Sequence, residues 1–140
     1  MSTNVKLRGL LVAVFLPVLA AAQTPDVSGT WRSDSNASLQ WILNQKSGNI
    51  HVRELSGNKV EADFTCSLNG TECNVKENGH SEKLIMYFNG VKLVEIRQRG
   101  TSAIEQRLTI SADGKTLTVE TVPLAPYQKP ETLSFHRQAT

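Results

Sequence analysis

Cys66 and Cys73 are the two thiols of this 140-residue chain, and His51, His80 and His136 are its three imidazoles. The cysteines flank Asn69-Gly70, a dipeptide whose left-handed backbone preference favours two-residue hairpin loops. If that loop closes a hairpin, Leu68 faces Thr71, Ser67 faces Glu72 and Cys66 faces Cys73. Directly opposed residues in antiparallel strands have Cα atoms about 4.5–5.5 Å apart, a span that a disulfide tolerates. The chemistry expected of the pair is a structural disulfide in an oxidising compartment, with two buried free thiols as the alternative. A catalytic redox pair would more usually be Cys-x-x-Cys opening a helix, and this spacing is different.

The histidines fall on separate strands or turns. His80 follows the Asn78-Gly79 turn and His136 is opposite in parity to Phe135. Their order matches no metal-ligand spacing, and no nucleophile–base pair is legible, so no metal, no cofactor and no catalytic residue is expected. An overlooked activity would show itself as His51, Arg53 and Glu54 converging with another acid in one cleft. Gly114-Lys115-Thr116 matches the end of a phosphate-binding loop, but Thr109 stands where the first glycine is required, and residues 116–121 read as a strand. Asn36-Ala37-Ser38 and Asn69-Gly70-Thr71 are glycosylation sequons, meaningful in a eukaryotic host.

The elements that position these groups begin after a targeting segment. Lys6 and Arg8 supply a positive start, residues 10–19 an apolar run broken by Pro17, and Ala20-Ala21-Ala22 a small-residue cleavage site. Residues 1–22 therefore read as a signal peptide and 23–140 as one exported domain, periplasmic or extracellular, with no membrane span. The chain has 15 Lys+Arg against 13 Asp+Glu, and removing Lys6 and Arg8 with the acid-free signal leaves 13 against 13. A balanced, mixed-sign surface has no electrostatic footprint for nucleic acid or anionic membrane.

Alternation of apolar and polar residues gives short strands throughout the domain. Val60, Ala62, Phe64 and Cys66 share a face, which Asn69-Gly70 hands to Cys73 and Val75. Asn78-Gly79 passes it to Leu84, Met86 and Phe88, with Leu84 opposite Cys73. A two-residue Asn89-Gly90 loop sets Phe88 against Val91 and Met86 against Leu93. Asp113-Gly114 pairs Ile110 with Leu117, Leu108 with Val119 and Gln106 with Thr121. Val91 and Leu93 are odd whereas Val94 and Ile96 are even, so that strand carries a bulge or is buried on both faces. Residues 50–55 are ambiguous: Ser47-Gly48 turns Ile50 and Val52 inward, whereas Gly57-Asn58 favours His51, Arg53 and Leu55, unless one turn is longer or a bulge lies near Arg53.

Residues 122–130, with Pro123, Pro126 and Pro130, read as an extended connection outside any regular ladder, leading to a last strand over 132–138. The fold class is all-β: an antiparallel up-and-down meander of about nine or ten strands closing into a small barrel, with a two-sheet sandwich as the alternative. Inside such a barrel Trp41, Phe64, Met86 and Leu108 would form walls, and Gln106 with Thr121 would orient the polar end of a small, largely apolar ligand. A barrel filled by its own side chains would act instead as an envelope or extracellular interaction module. An apolar patch at Leu124, Ala125 and Tyr127 would favour that second reading.

Gly29-Thr30-Trp31 opening the first strand, with Arg137 on the last, resembles the calycin superfamily of lipocalins, fatty-acid-binding proteins and avidins. With the Asp113-Gly114-Lys115-Thr116-Leu117 hairpin and the short closing strand, the domain is similar to small exported bacterial lipocalin-like domains. The resemblance implies that Arg137 packs over Trp31 and seals one end of the barrel, a cation–π contact of about 0.5–2 kcal/mol. Two departures limit it. Residues 33–38 leave no room for a helical lid, and beyond Trp41 there is no tryptophan for an aromatic box around a ligand.

Overall fold

The computed structural model describes residues 23–140; the expected targeting segment 1–22 lies outside the described residues. Ten antiparallel strands form a single sheet: β1 (Gly29–Ser33), β2 (Leu39–Lys46), β3 (Asn49–Ser56), β4 (Lys59–Ser67), β5 (Cys73–Glu77), β6 (His80–Asn89), β7 (Lys92–Arg99), β8 (Ser102–Ile110), β9 (Thr116–Ala125) and β10 (Glu131–Arg137). Their order is β4-β3-β2-β1-β10-β9-β8-β7-β6-β5, so chain neighbours pair throughout except at β4/β5, and β1 pairs with β10. β4 and β5 lie near each other with no ladder between them. The sheet is thus a nearly closed barrel with one unpaired seam.

Period-two alternation decides what fills it. Trp31, Leu43, Val52, Phe64, Leu84, Leu93, Leu108, Val119 and Phe135 belong to one buried cluster, while their strand neighbours turn to the outer face. The turn at Asn78-Gly79 sets Cys73 opposite Leu84. Across the turn that contains Asp113-Gly114, Ile110 pairs with Leu117, Leu108 with Val119 and Gln106 with Thr121. Both registers are those expected from parity.

Three expectations are corrected and two open alternatives are resolved. The Asn69-Gly70 segment does not close a β4/β5 hairpin; Asn69 bridges to Tyr87, and the Gly70 amide donates to the Met86 carbonyl at 2.9 Å. An Asn69 side chain that accepts the Thr71 amide at 2.9 Å turns the backbone toward β6 instead. The cysteines nevertheless form a disulfide, with Cα atoms 5.9 Å apart, and it spans the seam rather than a ladder. Next, the β6/β7 loop is Gly90-Val91, not Asn89-Gly90, so Phe88 faces Leu93 and Met86 faces Glu95. Gly90 alone takes positive φ (61°) there, which fits a turn with glycine at its first central position.

Of the two alternatives for β7, the structure shows the second: the strand pairs with β6 and β8 without a bulge. Leu93, Glu95 and Arg97 share the inward parity, and Val94 is buried on the other side, so the strand is covered on both faces. The third correction is that Val122, Pro123 and Ala125 do join a ladder with β8. An irregularity between Ala103 and Ile104 accommodates them, where a proline's missing N–H is tolerated. The ambiguous strand resolves the same way: Ile50 and Val52 point inward, and the register shifts between Glu54 and Leu55.

Odd-numbered strands end, and even-numbered strands begin, at the same end of the barrel. At the other end Trp31 is fully buried beneath Arg137, whose guanidinium lies 4.2 Å over the indole ring. Arg137 donates from Nε to the Gly114 carbonyl at 2.8 Å and from Nη1 to the Ser28 carbonyl at 2.6 Å. Gly29 makes room for this: its φ is +147°, and a Cβ there would overlap the guanidinium. We call this the sealed end.

Candidate functional site

The opposite end is built on charge. Arg97 points inward from β7 and meets carboxylates from four strands. Glu95 Oε1 sits in the fork of the guanidinium, 2.9 Å from Nε and 2.7 Å from Nη2. Glu77, the last residue of β5, accepts from Nη1 at 2.7 Å. Glu54 of β3 lies 3.5 Å from Nη2, and Glu82 of β6 lies 3.6 Å from Nε. Arg99 adds a second cation 3.3 Å from Glu82. The Arg97 guanidinium carbon stands 5.8 Å from the centre of the Phe64 ring on β4.

Burial makes this cluster unusual. Arg97, Glu82 and Glu95 are all buried, and four carboxyls face two guanidiniums. An unpaired buried charge is costly, so the surplus is relieved by retaining protons. Burial pushes the Glu54 carboxyl up to about 7, partly opposed by Arg97. Burial likewise raises Glu82, with Glu77 reinforcing it, and raises Glu95 against the pull of Arg97. Burial disfavours the Arg97 cation, yet Glu95, Glu54 and Glu77 outweigh it and hold that group above its ordinary value. Glu82 Oε2, Arg97 Nη2 and Gln106 Oε1 are buried without a well-aligned hydrogen bond. The site is strongly coupled and incompletely satisfied.

Parity contained the signal for these residues. Glu54 follows Ile50 and Val52 on the inward positions of β3, Glu82 precedes Leu84 and Met86, and Glu95 and Arg97 follow Leu93. Each is a charged residue standing where the strand's apolar series continues toward one barrel end. The sequence reading missed them because it assigned inward positions by hydrophobicity.

Of the residues expected to line a ligand cavity, Gln106 and Thr121 are brought together, Gln106 Nε2 donating to Thr121 Oγ1 at 3.2 Å. They continue a row across the sheet, since Gln106 faces Glu95 and Glu95 faces Met86. Trp41, Phe64, Met86 and Leu108 are 6%, 8%, 1% and 2% exposed and belong to one packed cluster, Trp41 lying 5.3 Å from the Phe135 ring. A cavity of about 150 Å³ opens instead at the charged end, lined by Glu82, Arg97, Arg99, Ser102, Ala103 and Ile104.

The histidines sit elsewhere. His51 Nε2 is 2.6 Å from Asp63 and Arg53 is 3.6 Å from the same carboxylate, both on exposed ground. Glu54 does not converge with them; it points inward to Arg97. His136 Nδ1 is 2.6 Å from Asp34. Among the described residues no cluster of three or more His, Cys, Asp or Glu has the geometry to hold a metal ion. Among the described residues no helix is long and apolar enough to cross a membrane, which says nothing of strands.

No family model and no curated protein matches the sequence. In three dimensions the chain is similar to a secretary abundant heat soluble (SAHS) protein from Ramazzottius varieornatus, with a TM-score of 0.68 over 84% of this chain and 100% of that one. The fold is calycin-like. The two sequences are 11% identical, so the likeness carries fold and nothing finer. The Cys66–Cys73 disulfide is compatible with an extracellular or periplasmic protein.

Proposed function

We propose that this chain is an exported, non-catalytic barrel module of the envelope or extracellular space, acting through its surface on a protein partner. The observation that carries this reading is the packing of Trp41, Met86 and Leu108, which are 6%, 1% and 2% exposed and touch other side chains where a carrier would leave room for cargo. The rim supports it. Leu124 and Tyr127 are 41% and 72% exposed beside each other, bridged backbone to backbone, at the charged end. Both His–Asp pairs lie on exposed strand or loop positions, and among the described residues neither imidazole hydrogen-bonds a hydroxyl or thiol.

A second reading, carriage of a small molecule, is favoured by one feature, the cavity of about 150 Å³ whose apolar walls are Ala103 and Ile104. Native mass spectrometry of the protein purified from its own host separates the two. The module reading expects the mass of the bare chain starting near Gln23 with one disulfide. A retained small apolar molecule would replace it with carriage.

A further inference from the structure

We propose that the unpaired seam between β4 and β5 is a gate, locked covalently at the sealed end and by a proton-dependent ion cluster at the charged end. The first lock is the Cys66–Cys73 disulfide, which joins the next-to-last residue of β4 to the first residue of β5. The second is Arg97. From β7 its guanidinium reaches Glu54 on β3 and the Phe64 ring on β4 on one lip, and Glu77 on β5 and Glu82 on β6 on the other. No β4/β5 ladder duplicates either lock, because these strands are the two edges of the sheet; at the sealed end the Asn69–Tyr87 bridge adds to the disulfide.

The groups facing Arg97 are few and decide its behaviour. β3 contributes Glu54, β5 Glu77, β6 Glu82, and β7 itself Glu95 and Arg99. From β4 comes only the uncharged Phe64; β8 sets Ile104 opposite Arg97 and the neutral Gln106 opposite Glu95, and β9 sets Thr121 against Gln106. Four carboxyls share two cations. With protons retained, the lips are drawn onto one guanidinium. As protons leave, Glu54 on one lip and Glu82 on the other become like charges across a gap that no β4/β5 ladder holds. Repulsion then parts the charged end while the disulfide hinges the sealed end. The Glu54 carboxyl, raised to about 7, places this change around neutrality, and burial shifts Glu82 and Glu95 in the same direction.

The test is hydrogen exchange of the oxidised protein at pH 5.5 and pH 8.5, corrected for intrinsic rates and resolved by strand. The gate expects the β4 and β5 amides to open at least about tenfold more at the higher pH, the factor carried by one unit of differential pKa. The β1/β10 amides serve as the reference and should change by less than about twofold, because neither strand contributes to the cluster. The isosteric pair Glu54→Gln and Glu82→Gln, made singly and together and checked for native circular dichroism, should reduce the pH effect at the seam. Equal change in β1/β10 and β4/β5, a seam whose protection ignores pH, or glutamine variants that keep the full pH effect would each overturn the proposal. If the double variant fails to fold, the wild-type comparison of the two strand pairs still decides.

Discussion

Each end of the barrel sets an arginine over an aromatic ring, and the two arginines differ in what accepts their hydrogen bonds. Arg137 lies 4.2 Å over Trp31 and donates to the neutral carbonyls of Gly114 and Ser28. Arg97 stands 5.8 Å from Phe64 and donates to the carboxylates of Glu95 and Glu77. Backbone carbonyls do not titrate in the physiological range, so the first contact is a plug that conditions leave alone. A carboxylate does titrate, and burial raises Glu95 above its ordinary value against the pull of Arg97, so the second contact varies with its protons. The same side chain over the same kind of surface becomes fixed or adjustable through its acceptors.

The comparison breaks most easily at its two anchors. Trp31→Ala removes a fully buried ring and should destabilise the protein by about 3–5 kcal/mol at any pH in urea titration; a loss under about 1 kcal/mol would mean that the ring seals nothing. Arg97→Met should cost a similar amount, about 3–5 kcal/mol, but only where the carboxyls are ionised, because it strands them without a partner. Its penalty should therefore shrink in acid. A penalty for Arg97→Met that is flat with pH would put the two ends in one class.

Next in size is the pH response of the native protein. Glu54 binds its proton more tightly when folded, at about 7, than in the unfolded chain, near 4.5. Stability from that group is fully present below about 4.5 and is lost as pH rises through about 7, a fall of roughly 3 kcal/mol. Chemical denaturation between pH 4.5 and 8.5 should show it, and Glu54→Gln should flatten the curve. A stability that climbs over that interval would reverse the sign and refute the assignment.

Smaller effects sharpen the picture. Gly90→Val forces a branched side chain to φ near 61° and should lose about 1–3 kcal/mol, since that turn sets Met86 opposite Glu95 and so fixes where Arg97 projects. Unchanged thermal stability would contradict that register. Arg137→Met should cost only about 0.5–2 kcal/mol, equally at pH 5.5 and 8.5, which is the sealed end's counterpart to the Arg97 result. A pH-dependent loss there would show that the plug is charge-coupled after all.

Much of the barrel was legible from parity. Ala62, Phe64 and Cys66, then Leu84 and Met86, then Leu108 and Val119, lie inward as their alternation demands, and the turns at Asn78-Gly79 and Asp113-Gly114 set the expected pairs. The β6/β7 register was two residues off because Asn89-Gly90 and Gly90-Val91 both put glycine in a turn and preserve the same inward face. Parity alone cannot separate such registers. The charged end was hidden for a different reason. Glu54, Glu82, Glu95 and Arg97 sit where greasy residues belong, and only their contact with one another makes that tolerable. That contact joins β3 to the β6/β7 hairpin, segments far apart in sequence, which no local pattern reports.

The pairing of β1 with β10 has a consequence for how the chain is completed. Trp31 lies opposite Arg137, so the two strands joined at the middle of the sheet are the earliest and the latest of the ten to be synthesised. Every other ladder in the series can zip from a nearby corner. This one must wait for a partner more than a hundred residues downstream, and until it arrives β1 presents a bare margin and an indole without its lid.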